Sequence, residues 1–414
     1  MIKKALPLII ALAAVLGVSY FYHNRAAAEV PAKEPAEQQE AEKSENEAQD
    51  PVITPYTEVP PQEPAKDEVL EILSSMTLKE KVCRLFMITP EALCFDPETG
   101  AAAPGSPASV NEQMEKTYAE YPCGGFCLFA ANIVDPGQLV ALNEKLHSLS
   151  SIPPLISVDE EGGKVSRISG RSVFGIEKIS PMGEIAKTGD PGKAYETGEY
   201  IGTYLEGFGF DLDFAPIADV NTNPSNPIIG NRAFGSDPAL AALMVSAEID
   251  GLQNSQILGC LKHFPGHGDT KTDTHSGYAE TKKTWEEISA CEMLPFKAGI
   301  EAGADFVMVA HIAAPNITGD GTPSSLSKTI VTEKLRNELG FSGVIITDAL
   351  NMGAVSKVYS PEEAAVRALE AGCDMLLMPA DYKKACDGVL QAVESGRLTE
   401  ERIDESVLRI LRAK

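Results

Sequence analysis

Two stretches of the chain concentrate side chains able to move protons, attack carbon or bind a metal. One is Lys262-His-Phe-Pro-Gly-His267-Gly-Asp269-Thr-Lys-Thr-Asp273-Thr-His275. The other is Asp348, which directly follows the apolar run Val344-Ile-Ile-Thr347. An imidazole titrates near neutral pH, and an aspartate two positions away, as in Asp273-x-His275, can fix its tautomer so that it shuttles a proton. A carboxylate emerging from a buried strand, as Asp348 does, suits nucleophilic attack; the alternative is an N-cap for the helix-like Ala-Leu-Asn-Met that follows it. His263, His267, Asp269, Asp273 and His275 also have the chemistry of metal ligands, so a metal site stands as a competing reading of that loop. No paired C-x-x-C spacing accompanies it. The six histidines are His23, His147, His263, His267, His275 and His311, and four of them fall in or near this region. Four exceed what ordinary core packing calls for, although His311 reads equally well as a structural residue.

Further polar residues stand where apolar runs end. Val158 is followed by Asp159-Glu160-Glu161-Gly162-Gly163 and, farther on, Arg167. Asp219 and Asn221 follow Leu212–Pro216, with Asn231 and Arg232 in the next loop. Asp159 and Arg167 flank a Gly-Gly turn and are either a surface ion pair of small worth or fixed partners for ligand hydroxyls. Lys262 and His263 close a buried run, where an unpaired lysine is costly, so both read as ligand contacts.

Eight short apolar runs position these groups: Leu85–Ile88, Gly125–Phe129, Leu155–Val158, Leu212–Pro216, Gly259–His263, Phe306–Ala310, Val344–Thr347 and Met375–Met378. Their continuous hydrophobicity is that of strands buried on both faces. Helix-like stretches lie between them: Pro136–Leu149, Lys193–Glu206, Pro238–Asn254, Ser289–Ala302 and Ser360–Ala371, with Pro136, Pro238 and Pro361 near helix starts. An internal echo, Glu301-Ala-Gly-Ala-Asp305-Phe-Val-Met-Val-Ala310 against Glu370-Ala-Gly-Cys-Asp374-Met-Leu-Leu-Met-Pro379, repeats a helix end, a glycine stop and an acidic lead into a strand. Eight strands each followed by a helix predict a closed parallel (β/α)8 barrel over residues 66–414, with its chemistry at the C-terminal strand ends. The rival, an open doubly wound sheet, normally carries a glycine-rich phosphate loop after its first strand, and that loop is missing.

The ends and the composition add context. Residues 1–25 join Lys3-Lys4 to an uncharged apolar run, Ala5–Tyr22, and read as a signal peptide or membrane anchor. Residues 26–65, rich in Ala, Glu, Pro and Gln, read as a disordered linker. The expected location is exported and membrane-anchored, periplasmic or extracellular. The formal charge of −25 argues against nucleic acid or an anionic membrane surface as partner. Membrane association is expected only through the N-terminal segment, and the chain reads as a monomer. Export permits disulfides, with Cys83 and Cys94 the first pair to test, but most of the eight cysteines read as free thiols in apolar surroundings.

The segments Val158-Asp-Glu-Glu-Gly-Gly-Lys-Val-Ser-Arg167, Ile229-Gly-Asn-Arg-Ala-Phe-Gly235, Lys262–Thr270 with Asp273-Thr-His275, Ala310-His-Ile312 and Ile346-Thr-Asp-Ala-Leu-Asn-Met352 together resemble glycoside hydrolase family 3. Within it they are similar to the bacterial β-N-acetylglucosaminidases of the peptidoglycan-recycling type, in their single-domain form. The resemblance implies a retaining hydrolase acting on terminal β-linked N-acetylglucosamine, with no cofactor. Asp348 would form a covalent glycosyl-enzyme. His275, oriented by Asp273, would serve as acid/base. Asp159, Arg167, Arg232, Lys262 and His263 would hold the sugar. Glu160 and Lys164 depart from the Gln and Arg frequent in the family, and Thr274 from a frequent Ser. A phosphorylase or β-glucosidase on the same scaffold, and a tethered carbohydrate-binding protein with a dead site, are the alternatives.

Overall fold

The computed structural model describes residues 67–103, 105, 107–271 and 279–413. Asp273, His275, the apolar N-terminal run and the whole of the acidic linker over 26–65 lie outside these residues. Eight parallel strands form the centre: β1 Phe86–Ile88, β2 Gly125–Leu128, β3 Leu155–Val158, β4 Leu212–Asp213, β5 Leu258–Phe264, β6 Phe306–Val309, β7 Val344–Thr347 and β8 Leu376–Leu377. Neighbours run in chain order from β1 to β7, β8 pairs with β1, and a bridge between Ile346 and Met375 joins β7 to β8. The expected (β/α)8 barrel is thus the observed one. Strands β1, β2, β3, β6 and β7 are buried at every residue, which is why their sequences run apolar without alternation.

The outer helices are α1 Glu68–Ser75, α2 Leu78–Arg84, α3 Glu112–Glu120, α4 Pro136–His147, α5 Pro191–Gly207, α6 Pro238–Asn254, α7 Trp285–Ala290, α8 Met293–Glu301, α9 Pro361–Ala371, α10 Tyr382–Glu394 and α11 Glu400–Ala413. Helices α4, α5, α6 and α9 share one start, a capping Asp or Ser followed by proline: Asp135, Asp190, Asp237 and Ser360 each accept a backbone N–H of the first turn. The single helix expected over 289–302 is two. A capping box between Thr284 and Glu287 starts α7 early, and the backbone of Cys291 (φ −132°, ψ −77°) interrupts it. Beyond the break Glu292 turns inward and pairs with Lys283.

Aspartates stitch the N-terminal ends of the strands. Asp211, Asp305 and Asp374 lie just ahead of β4, β6 and β8, and each accepts the backbone N–H of the preceding strand's start, from Ile156, Gly259 and Ile345. The two copies of the internal echo therefore perform the same structural task. Asp374 does more: Arg336 (2.5 Å), Arg409 (2.9 Å) and Ser406 (2.7 Å) also converge on it, tying α11 to the barrel floor. All eight cysteines are free, six of them buried, so Cys83 and Cys94 form no bridge here. Among the described residues no helix is long and apolar enough to cross a membrane.

Candidate active site

The site is built at the C-terminal ends of β3, β4, β5, β6 and β7. Beyond β3 the chain presents Asp159, Glu160 and Glu161 and then reverses through Gly162 (φ 80°) and Gly163 (φ 62°). A Cβ on Gly162 would lie 2.8 Å from Ile179 Cγ2, so this turn needs glycine on both conformational and steric grounds. The reversal carries Ser166–Ser169 back over Glu160. That buried carboxylate accepts the N–H groups of Arg167 (2.5 Å), Ile168 (3.1 Å) and Ser169 (2.8 Å) and the hydroxyls of Ser166 (2.6 Å) and Tyr204 (2.9 Å). Five donors and no acceptor suit a carboxylate and not an amide, which accounts for glutamate at position 160.

Strand β5 delivers Lys262, whose side chain is 2% exposed. Its ammonium lies 2.7 Å from Asp159 Oδ1 and 2.5 Å from Glu161 Oε1. Arg232 grips the same glutamate with two parallel bonds, Nε to Oε2 and Nη2 to Oε1, both 2.8 Å. Arg167 Nη2 stands 3.5 Å from Asp159 Oδ2, and its guanidinium lies 5.5 Å from the Phe129 ring centre. Three cations thus meet two carboxylates. Burial pushes the Glu161 carboxyl up, but Lys262 and Arg232 outweigh it and hold the group at about 2. Burial opposes the charge on Lys262 as well, yet Asp159 and Glu161 keep it firmly protonated. Asp159 retains an accessible edge, with 20% of its side chain exposed, so the network offers a fixed carboxylate and a fixed guanidinium to a polyol.

Next to Lys262, His263 Nδ1 lies 2.7 Å from Asp219 Oδ2. Asp219 is fully buried; burial raises its pKa, and the partnership with His263 more than reverses this, keeping the carboxyl low. An ionised carboxylate only accepts, so Nδ1 carries a proton and Nε2 is left for a ligand. Asp219 Oδ1 takes the N–H of His267 (2.6 Å), which folds the Phe-Pro-Gly-His-Gly loop over the end of β4. Gly268 allows that approach, since a Cβ there would fall 1.9 Å from Val220 O. The His267 ring bonds Thr270 Oγ1 through Nδ1 (2.6 Å), and its Nε2 has no hydrogen-bond partner among the described residues. Burial and the neighbouring His263 lower the His267 pKa, with Asp219 and Asp348 acting against them.

Asp348 stands at the end of β7, half-buried, its N–H donating to Val309 O (2.9 Å) and its Oδ1 accepting the N–H of Ala349 (2.8 Å). It is not a helix cap: the next helical turn, Gly353–Ser356, has Met352 in that position. The structure therefore joins Asp159, Arg167, Arg232, Lys262 and His263 in one region of the rim and sets Asp348 at the same end of the barrel, within electrostatic reach of His267. Asp273 and His275 lie outside the described residues. Among the described residues no group of three or more His, Cys, Asp or Glu is arranged to hold a metal ion.

Sequence reasoning passed over Glu161 and left Asp219 without a role. Glu161 is the common anchor of Lys262 and Arg232. The available signal was the buried lysine itself, which requires anions close by, and the only carboxylates in the facing turn are residues 159–161.

The family model described as "Glycosyl hydrolase family 3 N terminal domain" matches residues 77–413. The chain is 33% identical over 328 residues to "Beta-hexosaminidase A" of Pseudoalteromonas piscicida, covering 73% of this chain and 55% of that protein. It is 37% identical over 257 residues to "Beta-hexosaminidase" of Tolumonas auensis, covering 61% and 75%. Among solved structures, a glycoside hydrolase family 3 β-N-acetylglucosaminidase from Paenibacillus sp. str. FPU-7 superposes with a TM-score of 0.76 at 36% identity, over 82% of this chain and 62% of that one. A β-glucoside phosphorylase superposes at 0.72 with 27% identity, over 84% and 60%. The chain thus spans little more than half the length of the first of these relatives. With the barrel, the rim network and a match over residues 77–413 in hand, the chain belongs to glycosyl hydrolase family 3, through that family's N-terminal domain.

Proposed function

We propose that the protein is a retaining β-N-acetylhexosaminidase that removes terminal β-linked N-acetylglucosamine from peptidoglycan fragments or chito-oligosaccharides. The observation that carries this reading is the cluster of buried Lys262 and Glu161 with half-buried Arg232 and Asp159, a rigid set of donors and acceptors shaped for sugar hydroxyls, at the same barrel end as Asp348. Similarity to proteins named beta-hexosaminidase and to a β-N-acetylglucosaminidase structure supports the sugar assignment.

In this reading Asp159, Arg167, Arg232, Lys262 and His263 hold the terminal sugar. An Asp348 carboxylate oxygen attacks the anomeric carbon while His275, oriented by Asp273, gives its proton to the departing oxygen. The bond from carbon to the aglycone breaks as the bond to Asp348 forms. The neutral His275 then takes a proton from water, whose oxygen displaces Asp348 with a second inversion, so configuration is retained. Release of p-nitrophenol from its β-N-acetylglucosaminide tests the activity, and Asp348→Asn is expected to lower turnover at least several hundredfold. Unchanged turnover would refute the nucleophile.

Phosphorolysis at the same site is a second reading, favoured by the superposition on a β-glucoside phosphorylase. Added phosphate would then yield the sugar 1-phosphate in place of the free sugar. For residues 1–25 we propose export with tethering to a membrane through the apolar run, which fractionation of cells expressing the full chain would test.

A further inference from the structure

Strands β6 and β7 pair in register from Phe306 and Val344 to Val309 and Thr347, and Asp348 continues the ladder by donating to Val309 O. Just past the end of β6, His311 is 1% exposed and spans the gap between two loops. Its Nε2 lies 2.9 Å from the carbonyl of Ala349, and its Nδ1 lies 2.7 Å from Ser325 Oγ. A carbonyl oxygen only accepts, so Nε2 must carry a proton. A neutral ring then presents a lone pair at Nδ1, which the Ser325 hydroxyl fills as donor.

Both ends of this bridge are braced. Ser325 is completely buried, its N–H donates to Ala310 O (3.1 Å), and the adjacent Ser324 bonds Ile312 O through both N–H (2.8 Å) and hydroxyl (2.7 Å). Cys373 Sγ donates to the Ser325 carbonyl. On the other side, the peptide joining Ala349 to Leu350 is held twice: its oxygen by His311, and its N–H by Leu377 O of β8 (2.8 Å). One residue back, the Ala349 N–H holds Asp348 Oδ1. Fixing the peptide after Ala349 removes the rotation that would carry the Ala349 N–H away from the carboxylate.

We propose that His311 is a positioning residue for Asp348, holding the peptide that follows it in the one orientation that keeps the carboxylate aimed, with Ser325 selecting the ring tautomer that makes this possible. The inference rests on Asp348 being the nucleophile. A histidine that merely filled space or satisfied a buried serine would give the same burial, but it would have no effect on Asp348.

Two substitutions separate these roles. In His311→Gln the amide nitrogen falls near the Nε2 position and can still donate to Ala349 O; in His311→Asn the shorter amide reaches Ser325 only. On p-nitrophenyl β-N-acetylglucosaminide we expect H311Q to stay within about fivefold of the parent kcat, and H311N to lose on the order of a hundredfold, the scale of a misplacement of about 1 Å, with KM within about twofold. Crystal structures of both variants give a readout independent of turnover: in H311N the Asp348 carboxylate leaves the Ala349 N–H, and in H311Q it does not. An unmoved carboxylate in H311N overturns the proposal, as do equal kcat losses in the two variants or a loss confined to KM. If the parent protein cleaves no β-glycoside, the functional reading falls, and the carboxylate position in H311N still decides what His311 does. Should neither histidine variant fold, Ser325→Ala takes their place: the proposal requires a reduced kcat at unchanged KM, and parent-like kcat overturns it.

Discussion

Replacing Glu161 by glutamine keeps the side chain's size and removes one charge from a network of two carboxylates and three cations. Lys262 would keep Asp159 alone, while Arg232 would lose both of its 2.8 Å bonds to a charged partner. Two routes give the cost. Breaking a buried pair by removing one partner typically costs about 3–5 kcal/mol, because the remaining charge stays desolvated. Independently, the Glu161 carboxyl sits at about 2 against an ordinary 4.5; at ~1.4 kcal/mol per unit this amounts to ~3 kcal/mol. The sign follows from the depressed value: the contribution is complete above about pH 5 and is lost as the pH falls toward 2. Urea unfolding at pH 7 should therefore show E161Q less stable by about 3 kcal/mol, with the gap to the parent narrowing between pH 5 and pH 3. Because Lys262 and Arg232 lose their common anchor, kcat/KM on the aryl glycoside should also fall about a hundredfold. A loss below about 1 kcal/mol that does not change with pH would show that the pair is screened by solvent and that the network is not held by Glu161.

Three further outcomes follow from buried carboxyl groups elsewhere. Glu248 on α6 is fully buried with neither carboxyl oxygen hydrogen-bonded among the described residues, and burial, reinforced by Asp213 and Glu161, pushes its pKa well up. A raised value means that its stability contribution is fully present below about pH 4.5 and is lost as the pH rises. Glu248→Met should therefore stabilise the fold by about 1–3 kcal/mol at pH 7 and less at pH 4.5, as read by denaturant unfolding; destabilisation at both pH values would sink this. Asp374→Asn leaves Arg336 and Arg409 without their anion at the barrel floor, and a loss of about 3–5 kcal/mol is expected, with KM unchanged for whatever protein remains folded. Asp219→Asn removes the charge that holds the Nδ1 proton of His263, and kcat/KM should drop about 10–100-fold, as for other supporting partners of a working histidine; a parent-like value would show that the backbone alone holds His263.

The eight strands and several helix starts were legible in the sequence because their causes are local. A strand buried on both faces reads as an unbroken apolar run, and α4, α6 and α9 begin where proline follows a capping side chain. The split between α7 and α8 was not legible: the apolar pattern runs across Cys291, and the inward turn of Glu292 depends on Lys283.

For the site, the sequence by itself placed Asp159, Arg167, Arg232, Lys262, His263 and Asp348 at the rim, since each lies near the C-terminal end of a strand or in the loop beyond it, and a parallel barrel puts every such end on one face. Only the tertiary structure decided which of them touch. Arg232 meets Glu161 across 71 residues and Lys262 meets Asp159 across 103, and no periodicity spans such distances. That is why Glu161, one of three consecutive acids, could not be singled out beforehand, and why His311 could not be separated from an ordinary core histidine until the carbonyl beyond Asp348 was seen to require its proton.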